Sequence, residues 1–112
     1  MDVIPPAELL ADPLTGALTR HAFDSLLGRG LEQALAEQAC LALLVIDIDH
    51  FKSINDSFGH VRGDAVLIEV ARRMREALRA GDLLFRFGGD EFVVLVPAPT
   101  RSHALQVAER ML

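Results

Sequence analysis

Leu83-Leu84-Phe85-Arg86-Phe87-Gly88-Gly89-Asp90-Glu91-Phe92-Val93-Val94-Leu95-Val96 reads as two apolar runs separated by a glycine pair and an aspartate. Aromatic and β-branched residues fit the pleated surface of a strand, and Gly-Gly-Asp supplies the turn between two of them. The stretch predicts a hairpin of strands over 83–87 and 91–96, with Pro97 and Pro99 ending the second. Backward from it, Gly81 is a helix stop, and apolar residues at 66, 67, 70, 71, 74 and 78 predict a long amphipathic helix from Gly63 to Ala80. His50 to Phe58 reads as a short helix closed by Gly59. Cys40 to Ile48 is an almost unbroken apolar run and predicts a buried central strand that ends abruptly in Asp47 and Asp49.

Further upstream, Thr19 is a good N-cap for a helix carrying Phe23, Leu26, Leu27, Leu31 and Leu35 to about Gln38, with a soft middle at Gly28 and Gly30. Leu14 and Leu18 read as core. Downstream, Thr100 can cap a last helix through Ala104, Val107 and Met111, and the chain stops inside it. The turn formers Asp12-Pro13 and Thr15-Gly16 set a leader at 1–11 apart from one domain at 12–112. This order of elements predicts an α+β domain, with helices on one face of a mainly antiparallel sheet.

Composition narrows the function. With 51% hydrophobic and 24% charged residues, the chain has the make-up of a packed domain and excludes disorder. A formal charge of -5 leaves no basic field for a nucleic-acid backbone, so a phosphate ligand must be met by local cations, backbone N–H groups or a metal. No apolar run approaches the roughly 18–20 residues of a membrane span, so no membrane contact is expected from this segment. The single cysteine, Cys40, cannot close an intrachain disulfide and reads as a small hydrophobe suited to a reducing cytoplasm.

Asp47 and Asp49 leave the end of one strand, while Asp90 and Glu91 occupy the hairpin. Carboxylates gathered on one sheet edge repel unless they hold a cation, and such hard oxygen donors suit Mg²⁺ or Mn²⁺ with substrate phosphates completing the shell. That chemistry points to nucleotidyl transfer. The same residues admit a plainer reading, in which Asp49 caps the next helix and Gly-Gly-Asp is an ordinary turn.

Arg86-Phe87-Gly88-Gly89-Asp90-Glu91-Phe92 resembles the signature loop of the GGDEF family, the diguanylate cyclases. Three further stretches match in the family's order: Asp12-Pro13-Leu14-Thr15-Gly16, Asp47-Ile48-Asp49-His50-Phe51-Lys52-Ser53-Ile54-Asn55-Asp56 and Phe58-Gly59-His60-Val61-Arg62-Gly63-Asp64. The resemblance implies a palm-type cyclase fold whose later strand and closing helix would follow Leu112. It implies that two GTP molecules condense to cyclic diguanylate with release of pyrophosphate, each bound by one subunit of a homodimer. It assigns the metal to the carboxylates of Asp47 and Asp90 and the carbonyl of Ile48, and gives Glu91 a part in deprotonating the 3′-hydroxyl. His50, Phe51 and Lys52 would meet the terminal phosphates, Gly88 and Gly89 would leave room for the nucleotide, and Asn55 and Asp64 would read guanine. Thr19 and His21 depart from the family's usual asparagine and arginine.

The resemblance also implies a second site. Arg79-Ala80-Gly81-Asp82 stands where the family often carries an Arg-x-x-Asp inhibitory site for cyclic diguanylate, with Arg110 as a further arm; the plainer reading of Arg79 and Asp82 is an exposed ion pair near a helix end. A bacterial cytoplasmic setting follows from the family, with room for a larger sensor protein around the domain. Two other readings stay open: a module that binds GTP or cyclic diguanylate without turnover, and a palm-type cyclase that takes another base. Glu69, Arg72, Arg73 and Glu76 read as a solvated helix face with a Glu69–Arg73 pair.

Overall fold

The structure, a computed structural model, describes residues 10–111, so most of the expected leader and the terminal Leu112 lie outside the described residues. The elements run β1 (Leu18–Thr19), α1 (Arg20–Glu37), β2 (Cys40–Asp47), α2 (Phe51–Phe58), α3 (His60–Ala77), β3 (Leu83–Arg86), β4 (Glu91–Ala98) and α4 (Arg101–Arg110). They build an α+β domain around one sheet of order β1-β3-β4-β2. β4 is antiparallel to both β3 and β2, and only the two-residue β1 runs parallel, to β3.

Helices cover both faces of the sheet, not one as expected. Side chains alternate along a strand, and β3 and β4 are apolar at both sets of positions, so each face needs a cover. Phe92, Val94, Val96 and Ala98 of β4 pack with Leu67, Ala71 and Met74 of α3 and with Ala104 and Val107 of α4. Val93 and Leu95 pack with Phe85 under Ala22, Phe23, Leu26 and Leu27 of α1. Phe85 and Phe92 are fully buried, and each contributes about 1.5–3 kcal/mol of apolar burial.

β2 lies at the sheet edge among the described residues, not at its centre. One side packs on the core through Ala42, Leu44 and Ile46, while Leu43 and Val45 on the other are exposed. Helix α1 comes close to this strand at Gly30, where an added Cβ would stand 3.2 Å from a Leu41 methyl. Cys40 is accordingly exposed, where a buried thiol was expected.

Three boundaries move for local reasons. β4 runs through Pro97 to Ala98 because β3 begins only at Leu83, the partner of Leu95, so Pro97 pairs with Leu41 and faces no strand on its other side. Helix α3 begins at His60, directly after Gly59 in the left-handed region (φ 85°). It ends at Ala77, and a turn follows in which Asp82 N–H donates to the Arg79 carbonyl (3.1 Å) and Arg79 N–H donates to the Asp82 carboxylate (2.8 Å). The Thr100 cap of α4 forms as expected, its hydroxyl accepting from His103 N–H (3.4 Å). No helix among the described residues is long and apolar enough to cross a membrane.

Candidate active site

The β2–β4 ladder decides which acids meet. Its register pairs Asp47, the last residue of β2, with Glu91, the first of β4. Just beyond, Ile48 N–H donates to the Asp90 carbonyl (3.3 Å), and Phe87 N–H donates to the Glu91 carbonyl (2.9 Å), closing the hairpin. Asp47, Ile48, Asp90 and Glu91 are thus fixed by backbone to one end of the sheet. Like charges directly opposite on a ladder are unfavourable, and the Asp47 and Asp90 carboxylates have no side-chain partner among the described residues. Asp49 lies outside this ladder and is exposed. Among the described residues no three acidic, histidine or cysteine side chains stand together as a preformed metal cage, so the convergence of four carboxylates expected from sequence does not form.

The donors that the resemblance assigns to a metal, the Asp47 and Asp90 carboxylates and the Ile48 carbonyl, are all hard oxygens. They fit a Mg²⁺-type ion, which keeps several waters and takes other ligands from phosphates. The Ile48 carbonyl accepts weakly from Phe51 N–H (3.4 Å), leaving a second lone pair.

The hairpin tip is held from below. The Arg86 guanidinium donates to the carbonyls of Gly88 (Nε, 3.2 Å) and Gly89 (Nη2, 3.0 Å), and its Nη1 reaches Asp12 Oδ2 (3.1 Å). The same Asp12 oxygen accepts from Thr15 N–H (2.9 Å) and the Thr15 hydroxyl (2.7 Å). Burial alone would raise the Asp12 pKa, but the bonds from Thr15 and Arg86 outweigh it and hold the carboxyl below its ordinary value. Phe87 is clamped on its other side, edge-on to Phe23 with ring centroids 4.9 Å apart and with the Arg20 guanidinium 5.1 Å from its own centroid. Sequence reading missed the Asp12–Arg86 tie, although both residues lie in stretches it singled out.

Gly88 and Gly89 are exposed, neither has a left-handed φ, and a Cβ on either would meet nothing within 4 Å. Neither backbone strain nor crowding inside this chain requires glycine there.

Helix α2 continues the site from β2. His50 precedes it in the left-handed region (φ 59°), and no side chain caps its first turn, so the plainer reading of Asp49 as a cap does not hold. Phe51 is buried and anchors the helix in the core, whereas His50 and Lys52 are exposed. Where α2 packs on α3, Asn55 Oδ1 is buried without a hydrogen-bond partner among the described residues and lies against Gly63, next to Asp64. Asp64 is exposed and sits within α3, so it is not the N-cap of that helix.

Arg79 and Asp82 lie apart from this group, along a groove of about 350 Å³ bordered by Leu18, Arg75 and Leu84. The Asp82 side chain is 1% exposed and pairs with Arg79 (3.4 Å), whose Nη2 also donates to the Pro97 carbonyl (3.0 Å). The pair is therefore not the exposed one of the plainer reading. Arg110 ends α4 and is exposed. On the outer face of α3, Glu69 binds Arg72 (2.6 Å) and Arg73 (3.0 Å), and Arg72 also binds Glu76.

Comparison with known proteins gives this geometry a context. Residues 9–112 match the family model described as diguanylate cyclase, GGDEF domain. The diguanylate cyclase DgcP of Pseudomonas aeruginosa is 46% identical over 102 residues, covering 91% of this chain but 15% of that protein. The GGDEF-only structure of TpbB from Pseudomonas aeruginosa superposes with a TM-score of 0.86 at 44% identity, covering 90% of this chain and 59% of that one. The GGDEF domain of DgcB from Caulobacter crescentus, solved in complex with c-di-GMP, gives a TM-score of 0.84 at 34% identity over 98% of this chain and 63% of that one.

Proposed function

Because the chain belongs to the GGDEF family, we propose that it is the site-bearing part of a diguanylate cyclase domain spanning 12–112 of this sequence, acting on GTP in the cytoplasm. The observation that carries this reading is the ladder register, which sets Asp47 against Glu91 and ties Ile48 to Asp90 at one end of the sheet. A repulsive pair kept at a solvent-reaching edge suits a cation brought with a substrate.

In this reading the carboxylates of Asp47 and Asp90 and the Ile48 carbonyl hold Mg²⁺ or Mn²⁺, which when bound supplies Lewis-acid stabilisation of the reacting phosphate. Gly88 and Gly89 let the nucleotide lie across the hairpin, with Arg86 and Asp12 keeping the tip from yielding under it. The uncapped first turn of α2, with His50, Phe51 and Lys52, meets the terminal phosphates through backbone N–H groups and one ammonium. Asn55 and Asp64 read guanine: the aspartate accepts from N1–H and N2–H₂, and the amide of Asn55 adds its N–H donors. Glu91 takes the proton of the attacking 3′-hydroxyl, the new 3′–5′ phosphodiester forms as the bond to pyrophosphate breaks, and a second copy of the domain presents the other GTP. Arg79, with Asp82 orienting it, grips the guanine of the product as a feedback site.

The test is incubation of the full-length protein with GTP and Mg²⁺, with ATP in parallel. Cyclic diguanylate from GTP alone is the expected result. Binding of GTP without any cyclic product would replace the cyclase reading with that of a binding module, and turnover of ATP would overturn the base assignment.

A further inference from the structure

We propose that Gly63 is a positioning residue for base recognition, the missing side chain leaving the space in which the Asn55 amide is seated. The inference rests on the reading of Asn55 as a guanine contact and adds what holds it in place.

Gly63 is buried inside α3, and its φ is not in the left-handed region. A glycine in a helix interior is less favourable than alanine, so the backbone gains nothing from it. The reason lies across the helix pair. A Cβ at position 63 would fall 1.7 Å from Asn55 Oδ1 and 2.9 Å from its Cγ, and 3.4 Å from Cζ of Phe51, the residue that anchors α2. By contrast, a Cβ at Gly59, at the α2–α3 junction, would meet nothing within 4 Å.

Asn55 Oδ1 is also the buried side-chain oxygen that finds no hydrogen-bond partner among the described residues. Leaving a buried acceptor unpaired is unfavourable, so an amide held this way is shaped for something other than stability. With Oδ1 pressed against Gly63, the Nδ2 donors are the part of the amide left for a ligand. Guanine offers acceptors at O6 and N7, whereas adenine places an amino donor where guanine has O6. An amide fixed with its donors outward therefore favours guanine, and one free to rotate does not. Asp64 follows Gly63 directly, so the seat and the second guanine contact share one turn of α3.

The clash is with the far end of a side chain, so Gly63→Ala should displace the amide and spare the fold. In the full-length protein, affinity for α,β-methylene GTP and for its ATP counterpart is measured by calorimetry with Mg²⁺ for wild type, Gly63→Ala, Asn55→Ala and the double variant. Gly63→Ala is expected to lower the guanine preference at least tenfold with unchanged far-UV circular dichroism. In the Asn55→Ala background the same change should alter the preference less than twofold, because nothing is left to displace.

A guanine preference within twofold of wild type in Gly63→Ala, beside a preference lost in Asn55→Ala, overturns the inference alone. An Asn55→Ala variant that keeps its preference overturns the reading of Asn55 and the inference with it. A further large loss in the double variant overturns the seat, since Gly63 would then act without Asn55. If Gly63→Ala alone fails to fold, a folded double variant supports the clash with Asn55, and an unfolded one overturns it.

Discussion

Asp12 and Asp90 both adjoin the hairpin tip, Asp12 through Arg86 and Asp90 along the chain, and are treated in opposite ways. Asp12 is mostly buried, accepts from Thr15 twice and from Arg86 once, and through Arg86 holds the carbonyls of Gly88 and Gly89. Asp90 is half-buried, its backbone fixed by Ile48 N–H and its carboxylate without a partner among the described residues. A satisfied acid does structural work, whereas an acid whose main chain is fixed and whose side chain is left alone is available to a ligand. The contrast between partnered and unpartnered acids separates scaffold from site here better than exposure does.

The largest effect that contrast predicts is on turnover. Asp90→Ala should lower cyclic diguanylate synthesis by the full-length protein at least about a thousandfold while the thermal midpoint stays nearly unchanged, because the lost group has no side-chain partner among the described residues. Residual synthesis near the wild-type rate in a folded variant would remove Asp90 from the metal set.

Asp12 should behave the other way. Asp12→Ala strands Arg86 and two Thr15 donors in a part-buried setting and should cost about 1–3 kcal/mol, read from urea unfolding. Loss of activity without loss of stability would break the contrast. Its pH signature follows from the lowered pKa: the stabilisation is present above the ordinary aspartate value of about 4 and is lost as pH falls through that value toward the folded one. Unfolding midpoints from pH 6 to 3 should fall more steeply in wild type than in Asp12→Asn.

Arg79 and Asp82 sharpen the comparison, since Asp82 is partnered yet assigned to a ligand site. Arg79→Ala should weaken cyclic diguanylate binding about tenfold by calorimetry, the scale of one bidentate guanine contact. Unaltered product affinity would return the pair to the scaffold.

Smallest of all should be Glu69→Gln. Hydrogen bonds from Arg72 and Arg73 hold this carboxyl down to about 2, but the group sits in solvent, where such pairs stabilise little. No resolvable change in thermal midpoint is expected at neutral pH, and a large drop would show that the α3 charge cluster supports the fold.

Local signals in the sequence were enough for much of the site's frame. The glycine hairpin, the Asp47 strand end and the Thr100 cap each depend on neighbours within a few residues, and all stand where the sequence places them. What escaped notice depends on distant partners. Nothing near Asp12 announces Arg86, and nothing near Asn55 announces that Gly63 lies inside a helix instead of starting one. The apolar run at 40–48 gave β2 but not its edge position, since a continuous run looks the same whether or not a neighbour covers its second face. Helices on both faces were legible in principle, because β3 and β4 are apolar at both sets of alternating positions, which calls for a cover on each face.

The β2–β4 ladder also sets when the site can exist during folding. Asp47 and Glu91 close the shortest loop of that ladder and Cys40 and Ala98 the longest, yet even the shortest encloses α2, α3 and β3. Closing a long loop costs entropy before any pairing returns it, so no fragment local in sequence can assemble these acids early. The proposed metal ligands meet only as the sheet itself zips shut, so divalent-cation binding, if they hold the ion as proposed, would serve as a clock for the completion of the native topology.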